Sequence, residues 1–91
     1  MLAQDPGNPF MRYGLAMELV KAGELASAMA EFAALLAHDP EYSAAYFHGG
    51  QTLEKLGRIE EARDYYRRGI AHSNDPHARS ELQGALDILG E

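Results

Sequence analysis

The chain contains no cysteine. A disulfide framework, a thiolate zinc site and a cysteine nucleophile are therefore excluded. It has no apolar run approaching the roughly 18 residues that a membrane-spanning helix needs, so no membrane partner is expected. Met1–Phe10 lacks both a basic stretch and an apolar core, and no secretory signal is expected there. Positive charge is in the minority. Eight Lys and Arg against fourteen Asp and Glu leave a net charge of −6, the wrong sign for neutralising phosphates, and no nucleic-acid partner is expected. Val, Ile and Thr are few while Ala occurs 15 times, a balance that favours helix over sheet. Hydrophobic residues make up 46% of the 91 positions, enough for a packed core and too many for a disordered tail. These quantities describe one small all-α domain over 1–91, expected in the cytoplasm.

Gly and Pro punctuate the chain regularly. Asp-Pro occurs at Asp5-Pro6, Asp39-Pro40 and Asp75-Pro76, and Gly23 and Gly57 separate apolar-periodic segments. Pro near a helix start and Gly just past a helix end is the expected asymmetry. The spacing predicts helices over about 9–22, 25–38, 42–56, 59–72 and 77–89. Asn8 is a candidate N-cap for the first, and Asp75 or Pro76 opens the last. Turns this short force consecutive helices to be antiparallel neighbours.

The chain also repeats itself. A shift of 34 residues pairs Leu19 with Leu53, Lys21 with Lys55, Gly23 with Gly57, Ala28 with Ala62, Phe32 with Tyr66 and His38 with His72. Asp39-Pro40 lies at the same interval from Asp5-Pro6, and Ser73-Asn74 reads as a two-residue insertion before Asp75-Pro76. Two helices per 34-residue unit resemble the tetratricopeptide repeat family, whose unit carries Trp, Leu-Gly, Tyr, Ala, an aromatic and Pro in that order. The first unit holds Arg12, Leu15-Ala16, Leu19, Ala28, Phe32 and Pro40 at those places. The second holds Tyr46, Gly49-Gly50, Leu53, Ala62 and Tyr66, with its Pro displaced to Pro76. Leu82, Ala85-Leu86 and Leu89 repeat the first half of a third unit. Arg12 in place of an aromatic and Gly49 in place of Leu depart from the pattern.

The resemblance implies an α-solenoid of antiparallel helix hairpins. Repeat 1 is expected over about 9–42, repeat 2 over about 43–76 and a capping helix over about 77–90. Ala16, Gly50, Ala28 and Ala62 are expected to let helix backbones approach closely, with Leu15, Leu19, Leu53, Phe32 and Tyr66 supplying apolar area. Leu2–Pro6 resembles the end of a unit, so the chain reads either as cut from a longer array or as a protein whose first face lacks a neighbour.

The same resemblance implies a non-enzymatic protein-interaction module, a scaffold part, that holds a peptide or partner helix in a concave groove. On the first helix a stripe of Phe10, Tyr13, Met17 and Lys21 lies apart from the Leu15, Ala16, Leu19 stripe at three- and four-residue spacings. On the third helix Ala44, Phe47, His48, Gln51 and Lys55 match it. Phe10, Tyr13, Met17, Lys21, Phe47, His48, Gln51 and Lys55 are thus the candidate groove residues. Aromatics and Met outside a core stripe suit a binding surface, and the recurring Lys21 and Lys55 suit an acidic peptide. The alternative is that Phe10 and Tyr13 cover the N-terminal end and Phe47 fills space between helices. Some family members hold a C-terminal carboxylate with a Lys/Asn/Arg clamp. Tyr13, Met17 and His48 occupy clamp places here, so that ligand class is not expected. The rival reading is a self-associating module, pairing through the Ala-rich helix 25–38 or an unfilled end, because two and a half units fall below the roughly three usually needed.

Nothing else suggests chemistry. Arg58, Arg63, Arg67 and Arg68 are interleaved with Glu60 and Asp64, as on a solvated helix face. His38, His48, His72 and His77 contain no i,i+4 pair and no HExxH, so neither a metal nor another cofactor is expected. His48-Gly49-Gly50 has no accompanying GxSxG, and helix packing accounts for both glycines. Glu60-Glu61 suits a helix N-terminus, and no phosphate-binding loop is present.

Overall fold

The computed structural model describes residues 8–90. Five helices follow in order: α1 (Pro9–Lys21), α2 (Leu25–His38), α3 (Ser43–Lys55), α4 (Ile59–His72) and α5 (Pro76–Ile88). No strand occurs among the described residues. The Leu2–Pro6 reading lies outside them.

Sequence chemistry sets the helix ends. Asn8 Oδ1 accepts from the backbone N–H of Phe10 at 2.9 Å and of Met11 at 3.2 Å, capping α1. Asp75 Oδ1 accepts from the His77 N–H at 3.0 Å and does the same for α5. Gly23 and Gly57 stop α1 and α3 in the left-handed region, at φ 82° and 78°. The Gly23 and Glu24 N–H groups donate to the Val20 and Leu19 carbonyls, and those of Gly57 and Arg58 donate to the Glu54 and Leu53 carbonyls. Both turns are thus the same Schellman stop, displaced by one repeat unit.

α1 packs on α2 and α3 on α4 as two hairpins, α2 joins them by packing on α3, and α5 packs on both α3 and α4. This is an all-α solenoid of helix hairpins. Leu82, Ala85 and Leu86 of α5 are buried against the second hairpin, so α5 caps that end. The core runs continuously through Ala16, Ala28, Phe32, Leu35, Ala45, Tyr46, Leu53, Ala62, Tyr66 and Leu82.

Close approach explains the small residues. A Cβ on Gly50 would collide with the edge of the Tyr66 ring at Cε1 and Cζ, and one on Gly49 would lie 2.6 Å from Tyr65 Cε2. The departure from Leu at Gly49 therefore makes room for an α4 tyrosine. Arg12, the other departure, reaches across to α2, where its Nη1 bonds Glu31 Oε1 at 2.8 Å. The α1 core stripe differs from expectation. Ala16 is fully buried and Leu19 packs on the core, but Leu15 is only half-buried, and Tyr13, Met17 and Val20 complete the inner face. The four-residue step from Ala16 to Val20 and the three-residue step from Tyr13 to Ala16 follow one helix face, which Leu15 flanks.

Ala28 and Ala62 have no exposed surface. Ala28→Leu or Ala62→Leu is expected to overpack the hairpin and lower stability by roughly 1–3 kcal/mol. Thermal melts followed by circular dichroism check this, and an unchanged midpoint in both variants contradicts the packing.

Candidate partner-binding groove

α1, α3 and α5 share one side of the solenoid, and the spaces between them form a groove. Between α1 and α3 lies a hollow of about 220 Å³, walled by Met17, Val20, Phe47, His48, Gln51, Thr52 and Lys55. Between α3 and α5 a second hollow of about 410 Å³ is walled by Phe47, Gln51, Glu81, Gly84, Ala85 and Ile88. A third, of about 240 Å³, lies between the N-terminal halves of α3 and α5 and again includes Phe47. Phe47 thus stands at the centre of the groove.

Of the eight sequence candidates, Met17, Phe47, His48, Gln51 and Lys55 meet in the first hollow. Three do not. Tyr13 turns inward, with its ring 5.4 Å from Tyr42, 5.9 Å from His48 and 6.4 Å from Phe32, and helps fill the space between α1 and α3. Phe10 is 73% exposed and lies outside the hollows described above. Lys21 is exposed at the end of α1 and also lies outside them. Phe10 and Lys21 share the face of Met17, but they sit eleven positions apart, about three turns along the helix, so the two ends of the stripe lie beyond the hollow centred near Met17.

Residues of α5 carry the part that sequence reasoning missed. Glu81, Gly84, Ala85 and Ile88 recur at three- and four-residue intervals and face the groove. That signal is legible in principle, but a carboxylate and a glycine within it hide it from a search for apolar stripes. Val20 and Thr52 were missed too. Thr52 donates its hydroxyl to the His48 carbonyl at 2.7 Å, which satisfies an otherwise buried group.

A hydrogen-bond chain fixes the middle of the groove. The Tyr66 hydroxyl donates to Glu54 Oε2 at 2.5 Å and accepts from Gln51 Nε2 at 2.8 Å. A carboxylate can only accept, so Tyr66 must give it the proton and can only accept from Gln51. The Gln51 amide nitrogen is thereby turned to Tyr66, and its carbonyl oxygen is left for another partner. Burial, and then the hydrogen bond to Glu54, push the Tyr66 phenol well above its usual range. It therefore stays a neutral donor at any working pH.

Burial also lowers the pKa of His48, against a smaller opposing pull from Glu81. Its ring lies 5.2 Å from Phe47. Among the described residues no three His, Asp or Glu side chains cluster as a metal site. Charges on α4 and at its N-cap pair with one another: Arg58 with Glu61, Arg63 with Glu60 and Arg68 with Asp64.

This fold and groove define a helical-repeat protein of the tetratricopeptide kind. The tetratricopeptide repeat family model matches residues 13–86, and the chain belongs to that family. It is similar to a tetratricopeptide repeat domain protein from Salinibacter ruber solved by solution NMR, at 37% identity and TM-score 0.89. That match covers 94% of this chain and 90% of the other. A crystal structure of a tetratricopeptide repeat domain protein from the same organism is similar at 36% identity and TM-score 0.83, with 90% and 94% covered. No curated protein matches the sequence. The family is generally a non-catalytic fold for protein–protein interaction. No described helix is long and apolar enough to cross a membrane.

The depressed His48 pKa has a pH consequence. The unfolded chain takes up a proton near the ordinary 6.5, while the folded protein resists it until lower pH. The His48 contribution to stability is therefore present above 6.5 and lost as pH falls through the native value. An NMR titration of the His48 ring is expected to show a midpoint below 6.5, and His48→Gln should flatten the stability loss as pH falls below 6.5. A midpoint at or above the ordinary value contradicts the burial argument.

Proposed function

We propose that the chain acts by binding, as a non-enzymatic cytoplasmic scaffold module that holds a peptide or partner helix in the α1–α3–α5 groove. Repeats over about 9–42 and 43–76 and a cap over about 77–90 form one unit in this reading. The observation that carries it is the convergence of Met17, Phe47, His48, Gln51 and Lys55 on one hollow. Apolar walls with a few polar groups are what a recognition cleft needs, and aromatic and Met side chains are its usual anchors. Phe10, Tyr13 and Lys21 take no direct part in these hollows. Tyr13 acts through packing, and Lys21 supplies only a distant charge.

The test selects peptides from a random dodecapeptide display library on the intact chain and maps the selected sequences by NMR. Shifts are expected at Met17, Phe47, His48, Gln51 and Gly84. Gly84→Leu should block binding without harming the fold, because a Cβ at Gly84 meets nothing within 4 Å. Shifts confined to α2 and α4 contradict the groove.

A second reading, self-association, is favoured by one observation. Ala26, Ala30 and Ala33 line a hollow of about 340 Å³ between α2 and α4, beside Met29 and Tyr65. If copies pair there, light scattering at high micromolar concentration should report a dimer that Ala30→Glu dissolves. A wild-type monomer under the same conditions removes this reading.

A further inference from the structure

We propose that the groove is charge-polarised. The partner it selects is a protein segment with one large apolar side chain, flanked by a basic residue toward α5 and an acidic residue toward α1. The proposal rests on the groove reading above and adds the partner's chemistry.

The two hollows on either side of Phe47 and Gln51 differ in sign. The α1–α3 hollow carries one ionic group, Lys55, an exposed cation with no ion pair among the described residues. His48 beside it is held toward its neutral form by burial. The α3–α5 hollow carries one ionic group of the opposite sign, Glu81. The nearest cation candidate to Glu81 is His77 on its own helix, with Nε2 at 3.9 Å and an 83% exposed side chain. That pair is long and open to solvent, so it does little to satisfy the carboxylate.

The apolar part of this hollow is uncovered. Ile88 is 85% exposed, beside Ala85 and Phe47, and Gly84 leaves the space between them open. An apolar side chain that covers Ile88 also strips water from Glu81. A buried carboxylate without a partner is costly, so the residue next to that side chain must bring a cation. Gln51 adds to the same demand. Its amide nitrogen is committed to Tyr66, which leaves a carbonyl acceptor in the groove. A Lys or Arg supplies donors to both acceptors, whereas an acidic residue would leave both without a donor. The reverse argument at Lys55 calls for a carboxylate on the α1 side.

The probe is the same random dodecapeptide library, selected in parallel on the wild-type chain, on Glu81→Lys and on Lys55→Glu. Both substituted side chains are exposed, and melts of each variant verify the fold. Wild-type selections should enrich a large apolar residue with Lys or Arg on one side and Asp or Glu on the other. Glu81→Lys should lose or invert the basic preference only, and Lys55→Glu the acidic preference only. A selected peptide should bind either variant at least about fivefold more weakly than wild type, more than an exposed ion pair accounts for, because each reversal sets like charges against each other where the ligand excludes water. That difference should shrink in high salt. Peptides that map to Phe47, Gln51 and Gly84 without charge preference, or with preferences unchanged in both variants, overturn the polarity and leave the groove reading standing. Peptides that map to α2 and α4, or a library with no enriched groove binder, overturn both.

Discussion

A tyrosine ring pressed against bare backbone is the contact on which the architecture depends. Tyr66 occupies the space that a side chain at Gly50 would take, and Tyr65 does the same at Gly49. Between α4 and its neighbours the relation reverses: the glycine is Gly69, and Tyr46 and Leu82 press on it. Each contact brings two helices closer than ordinary side chains allow, with a large side chain filling the space the glycine leaves. Because α3 and α4 are drawn together on one side, α3 keeps a free edge on the other. The groove is made of such free edges.

Tyr66 also links the packing to the groove's chemistry. Its ring lies in the core, and its hydroxyl, buried as well, is held between Glu54 and Gln51. The ring's position is set by dense apolar contact, so the hydroxyl is held in place, and so is the Gln51 amide. A polar group oriented in this way discriminates between donors and acceptors on a ligand. Charge is distributed in the same selective manner. On α4 and at its N-cap, three arginines pair with carboxylates three or four positions away. In the groove, Lys55 and Glu81 face different hollows and do not pair with each other.

Much of the fold was legible because its signals are local. Asn8, Gly23, Gly57 and Asp75 act on the residues beside them, and the observed caps and stops follow their chemistry. The 34-residue recurrence is also a one-dimensional property, and the two identical stops after α1 and α3 are its physical form. The groove was legible only in part. Met17, Phe47, His48, Gln51 and Lys55 could be placed on common faces by helical spacing. Whether Tyr13 faced the groove or the core depended on Tyr42 and Phe32, which lie far away in sequence. The α5 side was hidden because Leu82, Ala85 and Leu86 form a strong apolar stripe, whereas Glu81, Gly84 and Ile88 beside it share no single chemical character.

Helix identity, helix ends and the order of the hairpins were determined by the sequence alone, since each depends on groups within a few residues or on a repeat visible in the string. The tertiary structure decided which half-apolar residues became core and which stayed available. It also brought Glu81 and Ile88 to the same hollow as Gln51. Those outcomes depend on how closely helices approach, which is set by rings meeting glycines across the fold rather than along the chain.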